Sequence, residues 1–334
     1  SNTAARTVAD GGAAGGAGGA GEEKGAEAAE PVPDAVWEEV ATVLSEERRE
    51  LTVDRGEDAV PEGGAYEVDP ALWHCKLLNR LQLSVPSGSL AGGTVPAALG
   101  RLHALTTLIL SNNGLTSLPD VFGSLPELKF AEFENNRIRE LPPSIGTLVN
   151  LEMLNITNNA LASVAVLGTC TNLVTLLIDN QTADAEAGAG GADEAKAEGD
   201  ASGSDEDDDE DGAKSPLTAL ELDFSALKRL STLSASGNAI AELPPSIGAL
   251  EQLVTLKLEG NALTALPAEL AELNVKKLKT LELGGNPYSD PKINKLLRGR
   301  PEKVVKELFK YVAASGGGGK GGKGGKGKGK GKKR

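Results

Sequence analysis

Two histidines, His74 and His103, are the whole imidazole complement of the 334-residue chain, and they fall in unrelated contexts. An acid-base dyad or a metal site needs partners at a spacing that brings them to one point, so neither chemistry is supported. Two cysteines, Cys75 and Cys170, are too few to staple a chain of this length, which argues against a disulfide framework and for a reducing compartment. The GGGGKGGK stretch has the glycines of a phosphate loop, yet no Ser or Thr follows the lysine and no strand and helix flank it. Asn155-Ile-Thr157 and Asn180-Gln-Thr182 match the glycosylation sequon and read as coincidence without other marks of secretion. Ser202 and Ser204 precede an acidic run in the manner of casein kinase 2 substrates, which makes them candidate phosphorylation sites. No catalytic residue, metal site, cofactor or small-molecule substrate is expected.

The charges are blocked. Residues 182–214 hold thirteen acids, among them Asp205 to Asp211 without a break, against Lys196 and Lys214. The C-terminal run carries Lys320, Lys323, Lys326, Lys328, Lys330, Lys332, Lys333 and Arg334, a possible contact for RNA or an acidic partner. A formal net charge of −14 therefore conceals two opposed appendages, and such blocks repel themselves and bury no apolar surface. Glycine follows the same partition: 25 of the 42 lie in residues 1–30, 182–216 and 315–334. Those three segments are expected to be disordered. No run approaches the ~20 apolar residues of a membrane helix, and the first thirty residues lack a signal peptide's apolar stretch. A soluble, cytoplasmic protein with no membrane partner is the expectation. The chain begins at Ser1, without a methionine, and reads as a fragment or a processed product.

What must position any functional surface is a repeat of period 23. Residues 105–113 read LTTLILSNN, 128–136 LKFAEFENN, 151–159 LEMLNITNN, 230–238 LSTLSASGN, 253–261 LVTLKLEGN and 278–286 LKTLELGGN. The shared template is LxxLxLxxN. Residues 173–181, LVTLLIDNQ, supply another first half whose second half resumes at Leu217, so the acidic block is an insertion inside one repeat. A degenerate copy at Leu78, Leu81 and Leu83 brings the total to eight. Alternating leucines make a half-buried strand, which completes a core only by stacking on copies of itself. Leucines and their substitutes Ala131, Phe133, Ile156 and Ala235 are assigned to the core. The asparagine at position nine, with Gln181 in its place once, satisfies backbone groups where the chain leaves the strand; the longer glutamine is a candidate local distortion.

At these residues the sequence resembles the leucine-rich repeat family. That resemblance implies an α/β fold: a curved horseshoe solenoid with parallel strands on the concave face, helical caps and disordered appendages. Positions three, five and seven then point outward. Ile109, Phe130, Met153 and Leu177 make an apolar track across four successive strands, rimmed by Glu132, Glu134 and Asp179; Lys257, Glu259 and Glu282 continue the outward face. Such a stripe is either a partner groove or repeat drift.

Boundaries follow: 1–33 a Gly/Ala-rich segment, 34–104 an N-terminal helical cap with the degenerate repeat, 105–288 the repeats interrupted at 182–216, 289–314 a C-terminal helical cap, 315–334 the tail. Upstream, Trp37, Val40, Ala41 and Leu44 fall on one helical face with Asp34 as N-cap, and the helix is read through Glu46 to Leu51. Downstream, helices open at Asp290-Pro291 and at Pro301. The helix around Glu46 to Leu51, the closing GNPYSDPKINKLL with VVKELFKYV, and the Gly/Lys run resemble the leucine-rich repeat-containing protein 47 family. Members of that family continue into a domain similar to the B3/B4 module of the phenylalanyl-tRNA synthetase beta subunit, and the sequence stops before it. The leading expectation is a non-enzymatic scaffold that binds a protein partner on the concave face. RNA or ribosome association through the basic tail is the alternative that resemblance implies. A cytosolic signalling scaffold of the Ras-group leucine-rich repeat type, suggested by the LPxxI/LGxL second halves, is a further one.

Overall fold

A computed structural model describes residues 32–34, 36–55, 66–85, 90–182, 217–299 and 301–315. The chain divides into two units, Ser1–Val32 and Pro33–Arg334. The N-terminal Gly/Ala-rich segment, the acidic block with Ser202 and Ser204, and Lys320 to Arg334 lie outside the described residues.

Nine strands form one sheet in sequence order, every neighbouring pair parallel: β1 Glu50–Asp54, β2 Arg80–Ser84, β3 Thr107–Ile109, β4 Phe130–Glu132, β5 Met153–Asn155, β6 Thr175–Leu177, β7 Thr232–Ser234, β8 Thr255–Lys257 and β9 Thr280–Glu282. Consecutive parallel neighbours require each repeat to make a full turn back to the strand start. Short 3-10 segments such as Pro143–Thr147 and Pro245–Ala249 form the return, proline supplying the fixed φ at the start of these two. Leucines at template positions one, four and six fill the space between. Leu105, Leu108 and Leu110 are at most 1% exposed, and Ala131, Phe133, Ile156 and Ala235 are equally buried.

Position nine carries the polar support. Asn136 donates its Nδ2 to the carbonyls of Leu110 (2.9 Å) and Phe133 (2.8 Å), and its Oδ1 accepts the Leu115 amide at 3.0 Å. Gln181 does the same work without the distortion expected of it. Its Oε1 accepts from the Leu161 amide (3.0 Å) and its Nε2 donates to the Ile156 carbonyl (2.9 Å), at 1% exposure. The repeat from Leu151 to Leu173 is one residue shorter than the one before it, and the missing residue falls in the return ahead of β6, since Met153 and Thr175 are in register.

The N-terminal end departs from expectation in three ways. Helix α1 covers Glu38–Glu46 and stops at Glu47 in the left-handed region, so Glu50 and Leu51 belong to a strand. Leu51 and Val53 are buried and Glu50, Thr52 and Asp54 exposed, a two-residue period that a helix cannot present to one core. The described residues therefore hold nine strands, where the repeats alone foretold eight. Asp34 is not the N-cap either: the helix starts after Trp37, and the amides of Val36 and Trp37 both donate to Oδ2 of buried Asp69, at 2.8 and 2.7 Å. Val40 and Val43 face the core, whereas Ala41 is exposed.

The other end is closed by α2, Pro291–Leu297, and α3, Pro301–Ser315. Asp290 caps α2 through the Lys292 amide at 2.9 Å, while Leu308, Phe309 and Val312 join the core.

Candidate partner-binding face

Parallel register sorts the outward side chains of the sheet into rows. Position three runs Thr107, Phe130, Met153, Thr175, Thr232, Thr255, Thr280; position five runs Ile109, Glu132, Asn155, Leu177, Ser234, Lys257, Glu282. The apolar residues read as one track consequently occupy two rows. Phe130 and Met153 are in register with each other, and Ile109 and Leu177 stand one row further along their strands at either side. Together they bound an arc on three sides, with Glu132 and Asn155 inside it. Phe130 is 38% exposed; Ile109, Met153 and Leu177 are half-buried.

The acids differ in what they hold. Glu134 accepts from the Asn155 amide nitrogen at 3.0 Å. Asp179 is engaged on both oxygens: the Ser234 hydroxyl donates at 2.7 and 2.8 Å and the Ser236 amide at 2.6 Å, so its carboxylate ties β6 to β7. Lys257 and Glu282 pair at 3.1 Å on neighbouring strands, and Glu259 is exposed. Among the described residues Glu132 has no side-chain hydrogen bond or ion pair. Its carboxylate alone inside the arc is uncommitted.

Beyond the sheet rows the sequence conceals a second ladder, at position eight. Asn112, Asn135, Asn158 and Asn180 all adopt positive φ, between 54° and 62°. Each passes its side-chain amide to the previous one's Oδ1, Asn135 to Asn112 at 2.9 Å, Asn158 to Asn135 at 2.6 Å and Asn180 to Asn158 at 3.0 Å. After the acidic block the same position is Gly237, Gly260 and Gly285, with φ of 65° to 68°. The signal was in the text as NN before the block and GN after it, because asparagine and glycine are the residues that enter that region at low cost.

The two histidines are held apart. His103 lies at the back of the solenoid with Nδ1 2.9 Å from the Ser124 carbonyl, and His74 ends a different turn, Pro70–His74. Among the described residues no group of three or more His, Cys, Asp or Glu could hold a metal ion, and no helix is long and apolar enough to cross a membrane. A cleft of about 420 Å³, lined by Glu38, Glu39, Thr42 and Thr52 among others, lies beside α1 and away from the arc.

Residues 104–125, one repeat, match the family model described as Leucine Rich Repeat. That match and the nine-stranded parallel sheet define the fold as a leucine-rich repeat solenoid. Among solved structures, the chain is similar to the functional domain of InlJ from Listeria monocytogenes, at 19% identity and a TM-score of 0.49 over 75% of this chain and 41% of that one. Internalin C2 from the same organism, strain 4b F2365, is similar at 17% identity and a TM-score of 0.40, over 62% of this chain and 70% of that one. The chain thus spans less than half the length of the first of these. No curated protein matches the sequence.

Proposed function

We propose that this protein is a non-enzymatic scaffold whose concave sheet face, centred on Phe130 and Met153, receives a protein partner. The supporting observation is the exposure of Phe130 beside Met153 on a face whose other outward residues are mainly polar. An aromatic left open to water among half-buried apolar neighbours is how binding hot spots are built. Ile109, Leu177, Glu132 and Glu134 would contribute at the arc, and Asp179, Lys257, Glu259 and Glu282 along the rest of the face. Phe130→Asp combined with Leu177→Asp should abolish capture of a partner from cell lysate while leaving the circular dichroism spectrum unchanged. Undiminished capture by the folded double variant would refute the assignment.

A second reading, RNA or ribosome association in the cytoplasm, rests on the eight cations between Lys320 and Arg334 and on the resemblance to the leucine-rich repeat-containing protein 47 family. The outward positions of β3 to β6 hold acids and no cation, so phosphate would be repelled there and any such contact is assigned to the tail. Binding through the tail should fall steeply with salt and be indifferent to Phe130→Asp, which separates the two readings.

A further inference from the structure

The arc around Glu132 selects for the chemistry of its occupant. Ile109, Glu132, Asn155 and Leu177 stand side by side in one row, and Phe130 and Met153 close the row above. Glu132 therefore sits between apolar side chains on β3, on its own strand and diagonally on β5. Neighbouring Glu134 spends one oxygen on Asn155. Glu132 spends none among the described residues. Across β3 to β6 the outward positions contain Glu132, Glu134 and Asp179 without a cation, and Lys129 beside Phe130 is matched by Glu152 at 3.8 Å, so the fixed charge around the arc is net negative.

Covering Glu132 with an apolar partner would strip water from a carboxylate with nothing to replace it, which opposes binding. An acidic partner would add like-charge repulsion. A partner that places a Lys or Arg against Glu132 and apolar side chains on Phe130 and Met153 satisfies both parts at once. Four strands at about 4.8 Å spacing span about 14 Å, and a helix with its side chains is about 10–12 Å across. Resting on the concave-face reading above, we infer that the occupant is a cationic amphipathic helix, with a basic residue one turn from its apolar stripe.

The test uses the full chain and three labelled 18-residue peptides followed by fluorescence anisotropy: an amphipathic Lys/Leu helix, a scrambled Lys/Leu peptide of the same composition, and an amphipathic Glu/Leu helix. Glu132→Lys and Phe130→Ser are compared with Glu251→Lys, an exposed acid outside the sheet rows that gives the same change in net charge. The Lys/Leu helix should bind best, with Glu132→Lys and Phe130→Ser each weakening it tenfold or more and Glu251→Lys less than twofold. Equal weakening by both charge reversals, or equal binding of the scrambled peptide, would assign the effect to bulk acidity and overturn the inference. Phe130-dependent binding that ignores Glu132, or a preference for the Glu/Leu helix, would overturn the chemistry while keeping the face. If Phe130→Ser changes binding of none of the peptides, or none binds, both the inference and the face as its platform fail.

Discussion

The backbone amide of Gln181 donates to Oδ1 of Asn238 at 2.8 Å, across 57 residues of sequence and a single step of the sheet. One repeat accounts for 23 of those residues, and the surplus of 34 corresponds to residues 183–216. Leu217 then takes the place that Ile138 and Ile240 hold in their repeats, its carbonyl accepting from Ala239 at 3.0 Å as theirs do from Ala160 and Ala262. The stack closes over the acidic block as though it were absent.

Deleting residues 184–214 should accordingly leave a cooperatively folded solenoid. Shortening a loop about elevenfold lowers its closure cost by about 2 kcal/mol, so the melting temperature should hold or rise. Thermal melting followed by circular dichroism checks this; loss of a cooperative transition would mean that the block supports the repeats on either side.

Gly237 should resist substitution in a particular order. Its φ is +66°, and a Cβ built there would run into Oδ1 of Asn180. Gly237→Ala combines a left-handed backbone, about 1–2 kcal/mol for a non-glycine residue, with displacement of that amide. Gly237→Asn meets the same backbone and displaces the same amide, but its side chain can recover a hydrogen bond by donating to Asn180 and so extend the asparagine ladder, which should make it the milder of the two. Urea midpoints of both variants would decide; Ala equal to or better than Asn would show that the ladder contributes nothing.

These cases mark how far the sequence is legible. Leucine spacing and the recurrent asparagine reveal strands β2 to β9, because a 23-residue period repeats the same burial problem each time. Strand β1 escapes that reading: ELTVD is a single short copy directly after a helical pattern, and its two-residue period is easily absorbed into the longer one. Asp69 is illegible as the acceptor for the start of α1, since 33 residues separate it from Val36 and no local rule links them. The arc around Glu132 is half legible. Outward positions follow from the template, but which residues adjoin depends on register, and register divides the apolar track into two rows with a carboxylate inside.

At the N-terminal end, Arg55 grips Glu39 with two hydrogen bonds, 2.6 and 2.8 Å, donates to the Tyr66 hydroxyl at 2.9 Å and lies 5.3 Å from the Trp37 ring centre. The Arg55 hydrogen bonds, helped by a backbone donor, hold the Glu39 carboxyl down at about 2. A depressed folded value means that the pair's stabilisation is complete above the unfolded value near 4.3 and is lost as pH falls towards 2. Wild type should therefore exceed Glu39→Gln in urea midpoint at pH 6, by a modest margin because the carboxylate is partly exposed, and the two should converge by about pH 2. A constant difference over that range would mean that Glu39 acts by shape and not by charge.

Both thiols should be silent until the fold opens. Cys75 and Cys170 are buried and lean on the carbonyls of Ala71 and Ile145, at 3.8 and 3.5 Å. Burial pushes each thiol up to about 11, with the Asp69 charge adding to the effect at Cys75. Since the folded values exceed the unfolded one near 8.5, the native state favours the protonated thiol, and that preference costs stability only as pH rises from about 8.5 towards 11. Iodoacetamide at pH 8 should leave the native protein unmodified by mass spectrometry and add two groups in urea, whereas rapid native labelling at either cysteine would show that its repeat opens locally on the timescale of the reaction.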